Sequence, residues 1–125
     1  MLFPLCLTNG TSVLTRFYFS HIKLPEVLFL SSNQLTGTIP SNIGALDRTL
    51  RGLYLSDNKL DGKISEMLCE LEELEALFLD ENKFSGELPD CLNSMSSLRQ
   101  LYVFKNELSG EVPSNLENLK LLSEF

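Results

Sequence analysis

The sequence is poor in positive charge and contains a single histidine. Lysine and arginine together number 10 against 17 aspartates and glutamates, which leaves a net charge of −7 at pH 7. Nucleic-acid binding needs a basic patch, so this balance argues against a nucleic-acid partner. His21 has no nucleophile motif beside it and no Cys/His cluster accompanies it, so neither a catalytic site nor a zinc site is indicated. We therefore expect no enzyme, no cofactor and no metal.

Long apolar runs are absent as well. No stretch approaches the roughly 18 residues needed to cross a bilayer, so no membrane span is expected. Residues 1–7 are apolar, but they are too few for the hydrophobic core of a signal peptide and lack a basic flank. Taken by itself, the sequence predicts no secretion signal.

The negative charge is concentrated in one stretch of the chain. Residues 61–90 contain ten acidic residues and two lysines, a local net charge of −8. We interpret this stretch as a solvated face, the usual role of such runs. A surface for calcium or for a basic partner is the alternative.

What the sequence does contain is a repeat. Residues 77–89 read L-x-L-x-x-N-x-F-x-G-x-L-P, and the same skeleton recurs at residues 28–40, 53–64 and 101–113. Its asparagines are spaced by 25, 24 and 24 residues. A fixed period in the twenties predicts a solenoid of stacked coils, each contributing one short parallel strand.

Each recurring position of this skeleton has a structural role. Side chains alternate along a strand, so the two leucines of L-x-L point into the core and the residue between them points outward. The asparagine at the following turn can bond the backbone of neighbouring coils through both its donors and its acceptor. The glycine four residues later permits a positive φ. The expected asparagine ladder consists of Asn33, Asn58, Asn82 and Asn106.

The pattern resembles the plant-type leucine-rich repeat, LxxLxxLxLxxNxLxGxIPxxL, over residues 22–119, about four-fifths of the chain. The resemblance implies an α/β solenoid: a right-handed superhelix with a short parallel sheet on its concave side and 3-10 or short helices on its convex side. Members of this family are mostly extracellular recognition domains that bind peptides, steroids, proteins or co-receptors, and their repeats do no chemistry. It therefore implies a protein or peptide ligand and an extracellular or cell-surface location.

The repeats divide the chain into two parts. Residues 1–21 form an irregular segment or a degenerate repeat, and residues 22–125 form the repeat domain. Pro25 replaces a leucine in the first repeat, and Asp47 lies beside a one-residue insertion. The family's cysteine-paired caps are not evident, so we expect a fragment of a longer array or a short member that needs a partner. The four repeats cover about 22–46, 47–70, 71–94 and 95–118, followed by the start of a fifth.

One outward-facing column is aromatic. Parallel strands lie about 4.8 Å apart, so its four side chains would form a stripe roughly 15 Å long. Exposed aromatic residues of this kind are typical of a binding surface. The alternative is that aromatic residues simply suit strands and pack on one another. We define this aromatic stripe as Phe29, Tyr54, Phe78 and Tyr102.

The same face offers further contacts. Phe104 adds a second aromatic residue beside the stripe, and for this reason we favour binding. Together with the aromatic residues, a polar rim completes the candidate ligand-binding set. The expected rim consists of Ser56, Asp57, Asp80, Glu81 and Lys105.

Two other features are expected to be structural. A column of alternating charge predicts a ladder of ion pairs between coils, each worth only about 0–1 kcal/mol when exposed. The three cysteines are an odd number, so at least one thiol is unpaired or intermolecular. Cys69 and Cys91 lie at nearby positions of adjacent coils and could form a disulfide, although we favour two buried free thiols. The charged column consists of Glu26, Arg51, Glu75 and Arg99.

The leading functional hypothesis is a receptor-like module that binds a protein or peptide on its concave face. The alternative is a structural or assembly element, a truncated repeat array that stacks on itself or on missing repeats. Concentration-dependent oligomers would favour the alternative, because uncapped solenoid ends expose their cores.

Overall fold

The computed structural model describes residues 26–45, 49–112, 116 and 120–121. Within these residues the chain winds through successive coils, and each of the first three is built from one short strand, a turn, a second short strand and a 3-10 helix. The segment 1–21, Pro25 and Asp47 lie outside the described residues, so the expectations for them stay predictions.

The L-x-L segments form the parallel sheet that the repeat predicts. Each strand pairs in register with the strands of the coils before and after it, so Leu53 lies opposite both Leu28 and Leu77. The strands follow one another in chain order across this sheet. They are β1 (Val27–Phe29), β3 (Gly52–Tyr54), β5 (Ala76–Phe78), β7 (Gln100–Tyr102) and β9 (Lys120–Leu121).

A second parallel sheet follows the asparagine turns. Its four strands also pair in chain order. The recurring glycine lies in or just beyond each strand, at a φ between 74° and 84°, a conformation that a residue with a Cβ rarely adopts. The strands are β2 (Thr36–Gly37), β4 (Lys59–Lys63), β6 (Lys83–Gly86) and β8 (Glu107–Leu108).

The opposite side of the coils is formed by 3-10 helices, at Ser41–Ala45, Glu66–Glu70 and Asp90–Ser94. Ser65 begins the second helix, where the skeleton elsewhere has proline. Its hydroxyl accepts a hydrogen bond of 3.2 Å from the backbone N–H of Met67. A side-chain cap of this kind satisfies an amide that would otherwise lack a partner.

The hydrophobic core fills the space between the sheets and the 3-10 helices. The strand leucines are buried, as predicted, and Phe84 occupies a leucine position with its side chain fully buried. The apolar residues of the helical segments complete the core and are also buried: Ile43, Leu68, Leu92 and Leu116.

The asparagine ladder joins each coil to its predecessor. The Asn82 Nδ2 group donates to the carbonyl oxygens of Leu79 at 3.2 Å and Asp80 at 3.1 Å in its own coil. It also reaches the Leu55 carbonyl of the preceding coil at 2.9 Å. The Asn82 Oδ1 atom accepts from the backbone N–H of Leu60 at 3.0 Å. One side chain thus pairs buried backbone groups on both sides of the boundary between two coils.

Asn58 and Asn106 make the corresponding contacts. Asn58 donates to the Leu30 carbonyl at 3.0 Å and accepts from the Leu35 N–H at 3.1 Å. Asn106 accepts from the Phe84 N–H at 3.0 Å. Because these bonds cross the coil boundary, the asparagines fix the register in which the coils stack.

A disulfide ties the second and third 3-10 helices together. Cys69 and Cys91 are bonded, with their Cα atoms 6.0 Å apart. The structure therefore differs from the two free thiols that we favoured from the sequence. The reason is that the parallel register of adjacent coils brings the two helices side by side, within the span of a disulfide.

We predict that Asn82→Leu destabilises the fold by roughly 2–4 kcal/mol, because each buried polar group left without a partner costs about 1–3 kcal/mol. Asn93→Leu is the matched control, since Asn93 is exposed on the third 3-10 helix. Surface changes of this kind shift stability by about 0.5 kcal/mol or less. Urea unfolding followed by circular dichroism measures both, and equal stability of the two variants would contradict the role of the ladder.

Because Cys69 and Cys91 are bonded, we predict one free thiol per chain. The measurement is titration with a thiol reagent after the protein has been unfolded without reductant. That thiol belongs to Cys6, and a value of three thiols would exclude the bridge. Replacing both Cys69 and Cys91 by serine should lower the free energy of unfolding by about 3 kcal/mol, because the bridge closes a loop with a sequence separation of 22.

Candidate functional site

The aromatic stripe runs across the concave sheet along the axis of the solenoid. Ring centroids are 4.7 Å apart between Phe29 and Tyr54, 4.5 Å between Tyr54 and Phe78, and 4.0 Å between Phe78 and Tyr102. Phe104 continues the aromatic surface, with its centroid 6.1 Å from that of Tyr102. The in-register strands therefore bring together four aromatic residues from four different coils, and Phe104 lies beside the last of them.

Packing between neighbouring rings determines which ring surfaces of the stripe remain accessible to a partner. The first and last pairs are stacked, with interplanar angles of 22° and 9°. In each of these two pairs the rings cover one face of each other, whereas the middle pair, Tyr54 and Phe78, is tilted by 56°. Phe29 is the most open member, with 54% of its surface exposed. Contacts of this kind stabilise the sheet by about 0.5–1.5 kcal/mol per pair, so packing and binding can share the same residues.

The tyrosines add polar groups at regular intervals along the stripe. Tyr54 and Tyr102 are half-buried, and neither hydroxyl makes a hydrogen bond to another residue within the described part of the chain. Phenol hydroxyls both donate and accept hydrogen bonds. The stripe therefore carries two polar groups, one on every second coil.

A glycine that sequence reasoning missed sets the position of Tyr54. A Cβ atom built on Gly52 would lie 2.9 Å from Tyr54 Cε2 and 3.1 Å from Val27 Cγ1. The tyrosine ring therefore lies over the glycine backbone. A signal was present in the repeat register, because the position before the first strand leucine holds Val27, Gly52, Ala76 and Gln100.

These four residues line a groove beside the stripe, with a volume of about 550 Å³. The groove is also lined by Tyr54, Arg51, Glu75 and Arg99. The groove and the stripe together define the candidate site.

The rim on the other side of the stripe is held by an unusual backbone conformation. Asp57, Glu81 and Lys105 have φ values of 55°, 55° and 52°. In this left-handed turn the Glu81 N–H donates to the Phe104 carbonyl of the next coil at 3.0 Å. The three side chains are exposed, and Lys105 Nζ lies 3.7 Å from Glu81 Oε1.

Asp80 departs from the expected rim. It is only 6% exposed, and one of its carboxylate oxygens accepts a hydrogen bond of 2.5 Å from the Ser56 hydroxyl of the preceding coil. Ser56 is itself half-buried. The Ser56 hydroxyl and the Asp80 carboxylate bond each other across two coils, so Asp80 does not project into solvent as a contact residue. The exposed rim is reduced to Asp57, Glu81 and Lys105.

The charged column also differs from the expected ladder. Arg51 and Glu75 form an ion pair at 3.6 Å, with about half of each side chain exposed. Arg99 instead donates to the backbone carbonyls of Ser96 at 3.1 Å and Leu98 at 3.4 Å. Glu26 contacts the next coil through its carbonyl, which accepts from the Arg51 N–H at 2.6 Å. The column therefore contains one ion pair among these described residues.

Among the described residues, no group of three or more His, Cys, Asp or Glu side chains is arranged to hold a metal ion. In the same part of the chain, no helix has the length and apolar character needed to cross a membrane.

The fold and the site define a class: a repeat solenoid with an exposed aromatic surface on its concave sheet. Matches to the Leucine Rich Repeat family cover residues 25–46, 49–71, 73–95 and 97–119, well over half of the chain. The chain belongs to this family.

Several of the proteins to which it is similar are plant receptors. It is 45% identical over 53 residues to the receptor-like protein EIX2 of Solanum lycopersicum, a match that covers 42% of this chain and 5% of EIX2. The plant peptide hormone receptor RGFR1 in complex with RGF2 is similar in structure, with a TM-score of 0.71 and 42% identity over 77% of this chain and 16% of that one. The ectodomain of the receptor kinase SOBIR1 from Arabidopsis thaliana has a TM-score of 0.69 and 40% identity over 74% of this chain and 52% of that one. The chain thus spans at most about half the length of these relatives.

We predict that Ser56→Ala destabilises the protein by about 1–3 kcal/mol, because it removes the hydroxyl that donates to a buried carboxylate. Ser85→Ala is the matched control: Ser85 is also half-buried, and its hydroxyl makes no hydrogen bond to a described residue. Urea unfolding at pH 7 compares the variants. Equal loss of stability in both would show that the bond to Asp80 contributes nothing.

Proposed function

We propose that this chain is a non-catalytic recognition module that binds a peptide or protein across its concave face. The observation that carries the proposal is the aromatic stripe. Aromatic side chains are the residues that most often dominate binding energy at interfaces. Here five of them form one continuous surface beside a groove, and Phe29 is half exposed although large apolar side chains normally seek the core.

The relatives support the same class of activity. RGFR1 was solved in complex with RGF2, and that protein is a peptide hormone receptor. The similarity covers 77% of this chain with a TM-score of 0.71, which supports a solenoid of the same kind. We propose a peptide or protein ligand for this chain on that basis.

We also propose that the chain works outside the cell or at the cell surface. Two observations support this location. SOBIR1 is represented by the ectodomain of a receptor kinase. The bond between Cys69 and Cys91 is of a kind that persists in oxidising compartments and is rare in the cytosol.

The test is selection of binders from a displayed library of random twelve-residue peptides, using the full chain as bait. We expect selected peptides to bind the double variant Phe78→Ala/Tyr102→Ala at least about tenfold more weakly, the usual cost of losing one central aromatic contact. The matched control is Glu72→Ala/Glu73→Ala, two exposed residues after the second 3-10 helix. Binding to this control should be unchanged.

Two results would contradict the proposal. The first is equal binding of the selected peptides to both double variants, which would place the ligand elsewhere. The second is the detection, by light scattering, of concentration-dependent oligomers whose formation prevents the selection of peptides. Oligomers would instead support the assembly alternative, in which another copy covers apolar surface such as Val112, which is 40% exposed.

A further inference from the structure

We propose that the second sheet is a surface through which two copies of this chain associate as a weak, twofold dimer held by complementary charge. The aromatic stripe lies on the other sheet, so the inference goes beyond the proposed function and a dimer of this kind leaves both stripes open. The basis is that the second sheet carries charges of opposite sign in separate halves, with no ion pairs between them in the described part of the chain.

The outward side chains of the second sheet are mostly charged. Burial alternates along β4, so Lys59, Asp61 and Lys63 are exposed on its outer side. Three glutamates continue this surface in β8 and just after β6 and β8, and they are exposed as well. Both ion pairs among the described residues lie outside this sheet. These outward charges are therefore available to a partner.

Positive and negative charges lie on opposite sides of Ser85, which is at the centre of this surface. Ser85 is paired with Lys63 of the preceding coil and with Glu107 of the next coil. Along the chain, a lysine precedes Ser85 by two residues and a glutamate follows it by two. Asp61 lies among the three lysines and leaves that half with a net charge of +2, against −3 for the glutamates. The cationic half consists of Lys59, Lys63 and Lys83, and the anionic half consists of Glu87, Glu107 and Glu111.

A surface with this charge pattern is complementary to a second copy of itself. Identical surfaces that pack face to face are related by a twofold axis between them, and every contact then occurs twice. An axis that passes over Ser85 and separates the two halves places the cationic half of each copy over the anionic half of the other. Lys59 then faces Glu111 of the second copy, and Lys83 faces Glu107. A partner with charge of one sign would instead be repelled by one of the halves.

The centre of this face allows a close approach. Ser85 and Ser109 are small outward residues. The Lys63 side chain lies along the sheet, since its Cγ atom would be 3.1 Å from a Cβ atom built on Gly86. The charged ends of the longer side chains can therefore meet those of a second copy above a level surface.

The size of the face predicts a weak association. Four strands about 4.8 Å apart and about five residues long cover roughly 300 Å². A stable interface buries about 800 Å² on each partner. Exposed ion pairs contribute little individually, and the net charge of −7 on each copy opposes association at a distance. We therefore expect a reversible dimer that forms at high protein concentration.

The first test is sedimentation equilibrium of the full chain at concentrations up to about 1 mM, which detects dissociation constants well above the micromolar range. At an ionic strength of about 0.15 M the Debye length is about 8 Å, so repulsion between the net charges is largely screened while contacts between opposite charges persist. At about 1 M it is about 3 Å, and we expect the association constant to fall at least about fivefold. A protein that stays monomeric throughout would overturn the proposal. Undiminished association at the higher salt would also overturn it, because screening does not weaken contacts between apolar ends.

Charge reversal tests the pairing of the two halves. One variant is Lys59→Glu/Lys83→Glu, and the other is Glu107→Lys/Glu111→Lys. Each variant alone places like charges against each other, so its association constant should fall at least about tenfold. An equimolar mixture of the two restores opposite charges at these contacts and should associate about as tightly as the parent protein. A mixture that associates no more tightly than either variant alone would contradict the proposed dimer.

The matched control is Glu72→Lys/Glu73→Lys, at two exposed positions outside the second sheet. Replacing two glutamates by lysines adds four units of charge, so this control and Glu107→Lys/Glu111→Lys both change the net charge from −7 to −3. The control should associate at least as tightly as the parent protein, because its net charge is smaller. Circular dichroism establishes that each variant is folded. Equal loss of association in the control would show that the second sheet is not the interface.

Discussion

The structure depends on hydrogen bonds that cross from one coil to the next. A turn within a stack of coils buries backbone groups, and a buried amide without a partner destabilises the protein. Asn58 and Asn82 solve this by donating to carbonyls on both sides of a boundary while accepting an N–H from the preceding coil. Leucine is of similar size but could not do so, since it has neither donor nor acceptor.

Because these bonds fix the register, side chains at the same position of successive repeats lie side by side and form a continuous surface. Because Phe29 lies opposite Tyr54, and Tyr54 opposite Phe78, one outward position per repeat becomes a continuous aromatic stripe. The same register brings Cys69 within bonding distance of Cys91 on the other side of the coil. A repeat protein can therefore form a broad face from short strands. The outward residues form that face, while the core residues keep the same repeat pattern in every coil.

Prediction from the sequence was strongest where local chemistry permits one solution. The L-x-L leucines, the asparagine turns and the positive-φ glycines have residue types whose roles follow from strand alternation, hydrogen-bonding capacity and backbone freedom. Prediction was weaker where a side chain has more than one available hydrogen-bond or ion-pair partner. Asp80 could face solvent or bond Ser56, and Arg99 could pair with Glu75 or with backbone carbonyls. Such choices depend on distances of a few tenths of an ångström, which a repeat pattern does not contain.

The sequence by itself determined the solenoid, the order of its strands and the residues that occupy its concave face, because a period near 24 residues allows only one in-register stacking of the coils. Only the tertiary structure decided what that face presents. It stacked Phe29 on Tyr54 and Phe78 on Tyr102, withdrew Asp80 from solvent and closed the disulfide. The physical reason is that each of these outcomes is a contact between neighbouring coils. Residues 22 to 25 positions apart in the chain meet only after the coils have stacked.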